Sequence, residues 1–226
     1  MYPSWYSMNY PRYSSSVGRY RRGIKLHGII YLYRISDVRV SKAAEQDFLS
    51  LRKLCGARSI RNIVILTNMW NRVNAEEGKR RAADLQFLDD LFRPALEDGA
   101  RLMHHTDGTV GFVHAIISLM TRNQPEALDI QEELVDKDMN IDQTSVGKEV
   151  NRWIAERIEG YEAQDDELWE SAEQARRDGD EKTRSGLLKE LQDVRAKTAK
   201  LEKERVEQAL DYKRHRQLNQ TRAEAP

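Results

Sequence analysis

Apolar residues in the first half of the chain recur in short runs of strand type. Residues 28–33 and 62–67 are nearly continuous apolar runs rich in β-branched and aromatic side chains, which predict strands buried on both faces. Residues 100–104 predict a weaker third strand. Because helical patterns separate the three runs, we expect about three parallel strands in an α/β sandwich.

The segments between and after these strands have helical spacing. Helices are predicted at residues 41–54, 75–96 and 109–121. Gly56 supplies a left-handed stop for the first, and Pro94 disturbs the end of the second. Val113, Ile116 and Ile117 lie on the predicted core face of the third.

From residue 124 onward the apolar spacing is helical throughout. Residues 125–136 predict a short helix, and Thr144 begins a longer amphipathic one. Asp178, Gly179 and Asp180 interrupt it, and a heptad seam follows at Leu187, Leu191, Val194, Thr198 and Leu201. We expect two long helices that either fold back as a hairpin or continue as one rod.

These patterns divide the chain into four predicted parts. They are a disordered N-terminal segment (1–19), a truncated α/β region (20–124), a connecting helix and linker (125–143), and a charged helical coiled-coil tail (144–226).

Composition narrows the class of protein. Lys and Arg balance Asp and Glu at 37 each, so overall charge does not favour nucleic acid or an anionic membrane. Cys55 is the only cysteine, which excludes a disulfide framework and a cysteine-based metal site. No apolar run approaches the ~20 residues that span a bilayer. We therefore expect a cytoplasmic protein with no membrane span.

Several ordered motifs carry a resemblance to a known family. Residues 20–37, residues 54–56, the run 62–71, and Asp107-Gly108-Thr109 resemble consecutive segments of fungal G-domain proteins, relatives of the immunity-associated and septin-like GTPases. The similarity covers about residues 20–153. It implies a P-loop NTPase fold, of which this chain would hold the C-terminal half, and GTP or GDP as the ligand.

The resemblance implies a set of nucleotide contacts. Residues 62–71 look like the guanine-recognition strand and loop of the family. The implied binding residues are Thr67, Asn68, Asn71, Asp107, Gly108 and Thr109. The family carries Asp where this chain has Asn71, and an amide offers only one acceptor to the two N–H donors of guanine. We therefore expect weak or absent nucleotide binding.

The phosphate-binding motifs of the family are missing from the sequence. A P-loop needs Gly-x-x-x-x-Gly-Lys-Ser/Thr after a strand, whereas the Gly-Lys pairs here are Gly78-Lys79 and Gly147-Lys148, in or beside predicted helices. No Asp-x-x-Gly follows a strand in a position to sense Mg²⁺. Phosphoryl transfer depends on those parts. We expect a truncated GTPase-family domain that does not hydrolyse GTP and retains no metal.

Each of these features also has an ordinary structural interpretation. Residues 67–71 can be a simple strand-end loop, and Trp70 can pack in the core instead of stacking on a base. His104 and His105 could suggest a metal, but strand alternation sends them to opposite faces and favours a structural role.

The two ends of the chain leave further alternatives. The Tyr- and Arg-rich N-terminus could bind single-stranded nucleic acid, although disorder without function is favoured. The tail can be a solvated helix pair, a homo-oligomer interface, or a surface for a helical partner. The alternative to the GTPase remnant is thus a coiled-coil scaffold protein with no nucleotide role.

Overall fold

The computed structural model describes residues 16–89, 91–105 and 110–223 of the chain. Its sheet has three parallel strands in the order β1-β2-β3, so β2 is central. The strands are β1 (Ile29–Arg34), β2 (Ile63–Asn68) and β3 (Arg101–His104). The predicted parallel α/β arrangement is therefore confirmed.

Helices alternate with the strands and then continue alone. They are α1 (Lys42–Ile60), α2 (Ala75–Leu85), α3 (Arg93–Glu97), α4 (Val110–Met120), α5 (Asp129–Val135), α6 (Ser145–Arg177) and α7 (Glu181–Ala223). Inside α1, Gly56 has a left-handed φ of 72°, so the predicted stop is present as a kink after which helical turns resume. Asp129 of α5 packs against Gly56 where any larger side chain would collide.

The prediction of one helix over residues 75–96 is wrong. The helix ends at Leu85, and a new helix, α3, begins at Arg93. Pro94 lies in the first turn of α3, where its missing N–H costs nothing, so this proline marks a helix start. The break allows Phe92 to turn into the core, where it is fully buried.

Four aromatic side chains form the centre of the core on one face of the sheet. Tyr31 and Tyr33 of β1 point toward Phe48 of α1 and toward Phe92, and Phe48 and Phe92 meet edge to face with ring centroids 4.7 Å apart. Edge-to-face aromatic pairs add about 0.5–1.5 kcal/mol beyond the burial of their area. This cluster fixes α1 and the α2–α3 connection against the sheet.

The strand patterns predict burial correctly only for the central strand. Ile63 to Thr67 of β2 are all buried, whereas Ile30 and Leu32 of β1 are exposed. Apolar composition alone does not distinguish a central strand from an edge strand. Two-face burial of β1 is therefore a wrong prediction, and its cause is the position of β1 at the edge of the described sheet.

The chain forms two compact units. One comprises the described residues up to Met139 with Thr144–Val146, and the other comprises Asn140–Gln143 with the described residues from Gly147 onward. The first contains the sheet, and the second contains most of α6 and α7.

Helices α6 and α7 fold back as a hairpin, the first of the two predicted alternatives. Gly179 turns the chain with a φ of 73°, and Asp180 accepts from the backbone N–H of Thr183 at 3.0 Å to cap α7. Arg195 of α7 donates two hydrogen bonds to Asp165 of α6, at 2.6 and 2.9 Å. The buried residues of the two long helices around this pair are Ala172, Ala175, Leu191 and Val194. The seam residues Leu191 and Val194 are thus buried within the chain.

Candidate functional site

The predicted nucleotide loop lies at the carboxyl end of the central strand. Thr67 and Asn68 end β2, and a single 3₁₀ turn, Trp70–Arg72, follows directly. Open parallel sheets bind ligands outside the carboxyl ends of their strands. The loop lies at this edge, although the described order β1-β2-β3 contains no reversal of strand order, which is where such ligands bind.

Thr67 is a structural residue of this loop. Its side chain is fully buried, and its Oγ1 lies 2.8 Å from Nδ1 of His104 and accepts a hydrogen bond from the indole N–H of Trp70 at 3.0 Å. Burial lowers the pKa of His104, which favours the neutral ring. The Thr67 hydroxyl accepts from Trp70, and its single proton can go either to Nδ1 of His104 or to the Met103 carbonyl oxygen, which lies 3.4 Å from Oγ1.

Trp70 is half-buried and packs on two neighbours. Its ring meets the His104 ring edge to face, with centroids 5.2 Å apart. On α2, a Cβ added to Gly78 would lie 2.9 Å from the Trp70 ring, so the backbone of Gly78 closely approaches the indole. These contacts favour the core interpretation of Trp70.

Asn68 and Asn71 are the polar side chains of the loop that face away from this network. The Oδ1 atom of Asn68 is buried and has no hydrogen-bond partner within the described residues. Asn71 is exposed. Between them, Met69 adopts a left-handed φ of 61°, which turns the chain sharply after β2. Asp107, Gly108 and Thr109, the other predicted binding residues, lie outside the described residues.

The loop after β1 reaches the same edge of the sheet and is held by α2. Arg81 donates to the carbonyl oxygens of Ile35 and Ser36 at 3.1 and 3.0 Å, and its Nε donates to Glu77 at 2.9 Å. Arg34 pairs with Asp37 at 3.2 Å within the loop itself. The sequence analysis missed Arg81, whose only signal is the i,i+4 pair with Glu77.

Asn74 is a second residue that the sequence analysis missed. Its Oδ1 accepts from the backbone N–H groups of Glu76 and Glu77, at 2.9 and 3.2 Å, and so caps α2 directly after the loop. An Asn followed by acidic residues before a helix is a recognisable N-cap signal, and it marks where the loop must end.

The described residues contain neither a candidate metal site nor a candidate membrane-spanning helix. Across residues 16–89, 91–105 and 110–223, no group of three or more His, Cys, Asp or Glu side chains could hold a metal ion. His105 contributes its backbone N–H to the Thr67 carbonyl at 2.8 Å. Within the same ranges, no helix is both long and apolar enough to cross a bilayer.

A cavity of about 290 Å³ lies in the helical hairpin. Its polar lining includes Asp165 and Arg195, which bind each other.

No protein-family description, curated protein or solved structure matches the chain. The G-domain resemblance therefore rests on the sequence motifs, and the chemistry of the site must be argued from its own residues.

Proposed function

We propose that the α/β unit is the base-recognition side of a GTPase-type domain that does not hydrolyse GTP. The observation that supports it best is the loop after the central parallel strand, where Asn68 and Asn71 follow Thr67. The Trp70 indole N–H donates to Thr67 Oγ1 at 3.0 Å and so anchors the start of this loop.

The chemistry of the two amides limits this recognition. Guanine presents adjacent N–H donors, which a carboxylate accepts together, whereas Asn71 offers one acceptor and one donor group. The unpartnered Oδ1 of Asn68 is a second acceptor, although it is buried. We therefore propose weak binding with little preference for guanine.

The two Gly-Lys pairs support the absence of hydrolysis. Gly78 lies beneath the Trp70 ring, and Lys79 pairs with Glu76 of the same helix at 3.0 Å. Gly147 and Lys148 lie inside α6. Neither pair forms a loop after a strand, which phosphate binding of the P-loop type requires.

The test is calorimetric titration of the full chain with GDP and ADP. Wild-type protein should bind neither nucleotide below ~1 μM, roughly −8 kcal/mol. Asn71→Asp should tighten GDP about tenfold and leave ADP unchanged, because a charged acceptor strengthens hydrogen bonds by about 1.5 kcal/mol or more. Asn151→Asp on α6 is the matched control. Equal effects of Asn71→Asp on both nucleotides would exclude base recognition by this loop.

A second candidate function is supported by the hairpin. We propose that α6 and α7 can serve as an interaction module, because helices of this length present long charged outer faces. The pair buries Leu191 and Val194 internally, so a partner would use the outer faces. Light scattering of the full chain at rising concentration tests whether that partner is a second copy.

A further inference from the structure

The outer edge of β1 presents backbone groups for pairing. Ile29 donates to the Asn62 carbonyl at 3.1 Å, and Ile35 donates to the Asn68 carbonyl at 3.0 Å. Backbone direction alternates along a strand, so the N–H and C=O groups of Ile30 and Leu32 point away from β2. No described strand lies on that side. Such an edge is a template for another strand.

An apolar surface lies beside this edge. Ile30 and Leu32 are 41% and 60% exposed and share a face of the sheet with Gly28. Helix α4 covers the beginning of that face, since Met120 occupies the space where a Cβ on Gly28 would lie. One and two turns back along α4, Ile117 and Val113 are half exposed, so their predicted place on the core face is wrong, whereas Ile116 is buried. We call Ile30, Leu32, Val113 and Ile117 the edge patch.

A basic segment precedes the edge. The sequence contains no Asp or Glu before Asp37. The exposed basic residues that precede β1 in the described sequence are Arg19, Arg21, Arg22 and Lys25. We call residues 19–25 the basic segment. Lys25 lies four residues before Ile29, within ~14 Å even along extended chain. None of the four forms an ion pair with a described carboxylate. By contrast, Arg58 of α1 and Arg61, directly after α1, each pair with a glutamate.

The basic segment has a fixed attachment to the α/β unit. The Tyr20 hydroxyl donates to Asp136 at 2.7 Å, and this hydrogen bond is the main reason that the pKa of Tyr20 is raised to about 12. Tyr20 therefore keeps its proton at neutral pH. A short antiparallel bridge between Leu26 and Glu126 holds the chain again just before β1. The cations are thus presented from an anchored segment.

We propose that the edge of β1 and the basic segment together bind an extended peptide of a partner protein, with alternating apolar residues and an acidic flank. The alternating residues pair with the backbone of Ile30 and Leu32 and cover the edge patch. The acidic flank neutralises Arg19, Arg21, Arg22 and Lys25. Strand addition of this kind takes affinity from the backbone and specificity from side chains.

Charge distinguishes this occupant from two others. In an antiparallel pairing of two β1 strands, the basic segment of each copy lies toward the Arg34–Asp37 ion pair of the other, which offers the cations no net negative charge. Nucleic acid would neutralise the same cations but would leave the strand edge and the edge patch unused. A peptide with an acidic flank can hydrogen-bond to the strand edge, cover the edge patch and neutralise the basic segment at the same time.

The probe is a fluorescein-labelled synthetic peptide of five alternating valines and threonines joined to four glutamates, made with the glutamates at either end. Anisotropy titrations on the full chain in 50 mM NaCl should show saturable binding of one of the two peptides.

Arg21→Glu with Arg22→Glu should weaken this binding at least tenfold, whereas Lys189→Glu with Lys197→Glu on α7 should not. Ile30→Thr with Leu32→Thr, which keeps strand propensity, should also weaken it, and Phe87→Ser is its exposed apolar control.

Amide exchange by NMR decides where the peptide binds. The proposal requires that bound peptide slow exchange at Ile30 and Leu32 at least tenfold, with little change at Tyr31 and Tyr33, which already pair with β2. Three results would overturn it. They are binding without protection of Ile30 and Leu32, competition by oligouridine at equal charge concentration, and strong protection of both amides in the chain without peptide, as a monomer or as a dimer.

Discussion

Asp47 is a carboxylate that the fold holds partly out of water, near Tyr31. One of its oxygens, Oδ1, is buried without a hydrogen-bond partner in the described part of the chain. Burial raises the pKa of Asp47 to about 6. Its charge in turn contributes to the raised pKa of Tyr31, after the larger effect of burial. The ionised form of Asp47 is therefore unfavourable in the folded protein.

The sign of this effect gives a stability prediction. The folded pKa lies above the ordinary value of 3.8, so the folded state binds the proton more tightly, and the free energy of unfolding falls as pH rises from about 4 through 6. Asp47→Asn should stabilise the protein by about 1 kcal/mol at pH 7.5, after allowance for solvent screening of a half-exposed group. The gain should vanish near pH 3.5. Urea unfolding at both pH values measures it, with the exposed Asp84→Asn as control.

A uniform gain at both pH values would contradict the role of the charge. It would point to a better side-chain fit of asparagine, with no contribution from ionisation.

Thr67 supports a second residue-scale prediction. Its buried hydroxyl is shared by His104 and Trp70. Thr67→Val removes the hydroxyl partner of Nδ1 of His104 and leaves the Trp70 indole N–H only the Thr67 carbonyl at 3.3 Å, so it should cost about 1–3 kcal/mol. The control is Thr121→Val, where an exposed hydroxyl donates to the Ser118 carbonyl. Urea denaturation compares the two, and the NMR resonance of the Trp70 indole N–H should shift only in Thr67→Val. Equal stability of the two variants would mean that the network does not hold the loop.

At the scale of the elements, alternation and spacing predicted the type and order of most helices and strands. They did not predict which elements have neighbours on both sides and which remain exposed. Ile30 and Ile65 belong to similar apolar runs, yet only Ile65 has a strand on each side. The break after Leu85 also escaped the pattern, because the helical spacing of apolar residues continues through Leu88 and Phe92 while Phe92 packs against Phe48. Tertiary packing decides both outcomes.

The hairpin carries an element-scale prediction. Leu191 is 3% exposed in α7, so Leu191→Asp places a charge in an apolar contact and should cost about 3 kcal/mol or more. The helical circular dichroism of the full chain should begin to fall at lower urea concentration. Lys189→Asp adds the same side chain at an exposed position of the same helix and should change the curve little. Unchanged unfolding of Leu191→Asp would show that the seam does not hold the helices.

Across the whole molecule, the basic N-terminal residues were recognisable in the sequence, but their position beside the open edge of β1 was not. The net charge is zero, but no acidic residue precedes Asp37, so the basic segment before β1 is offset only by acids elsewhere in the chain. The net charge of the chain cannot reveal that basic and acidic residues are separated along it. Thr67, Asn68 and Asn71 lie at a strand end, as the apolar pattern predicted, whereas their role in binding stays a prediction. The buried role of Thr67 depends on His104, which is distant in sequence. Such a contact has no local signal.

The final prediction concerns catalysis by the full chain. We expect no phosphate release from GTP above the buffer background in the presence of Mg²⁺. Phosphoryl transfer is accelerated mainly by lysine, metal and backbone groups arranged around the γ-phosphate. Here Lys79 is paired on a helix surface and Lys148 lies in another helix. Neither is presented by a glycine-rich turn.

A sensitive phosphate-release assay checks this expectation, with Lys79→Ala, Lys148→Ala and Asn71→Ala measured beside the wild type. A trace contaminating enzyme would give the same rate in all four preparations and would fall on further purification. Turnover that persists at constant specific activity and drops in one variant would instead assign a catalytic role to that side chain. Such a result would require phosphate binding by a helix-borne lysine or by the strand-end loop, and the proposal of an inactive base-recognition unit would then be wrong.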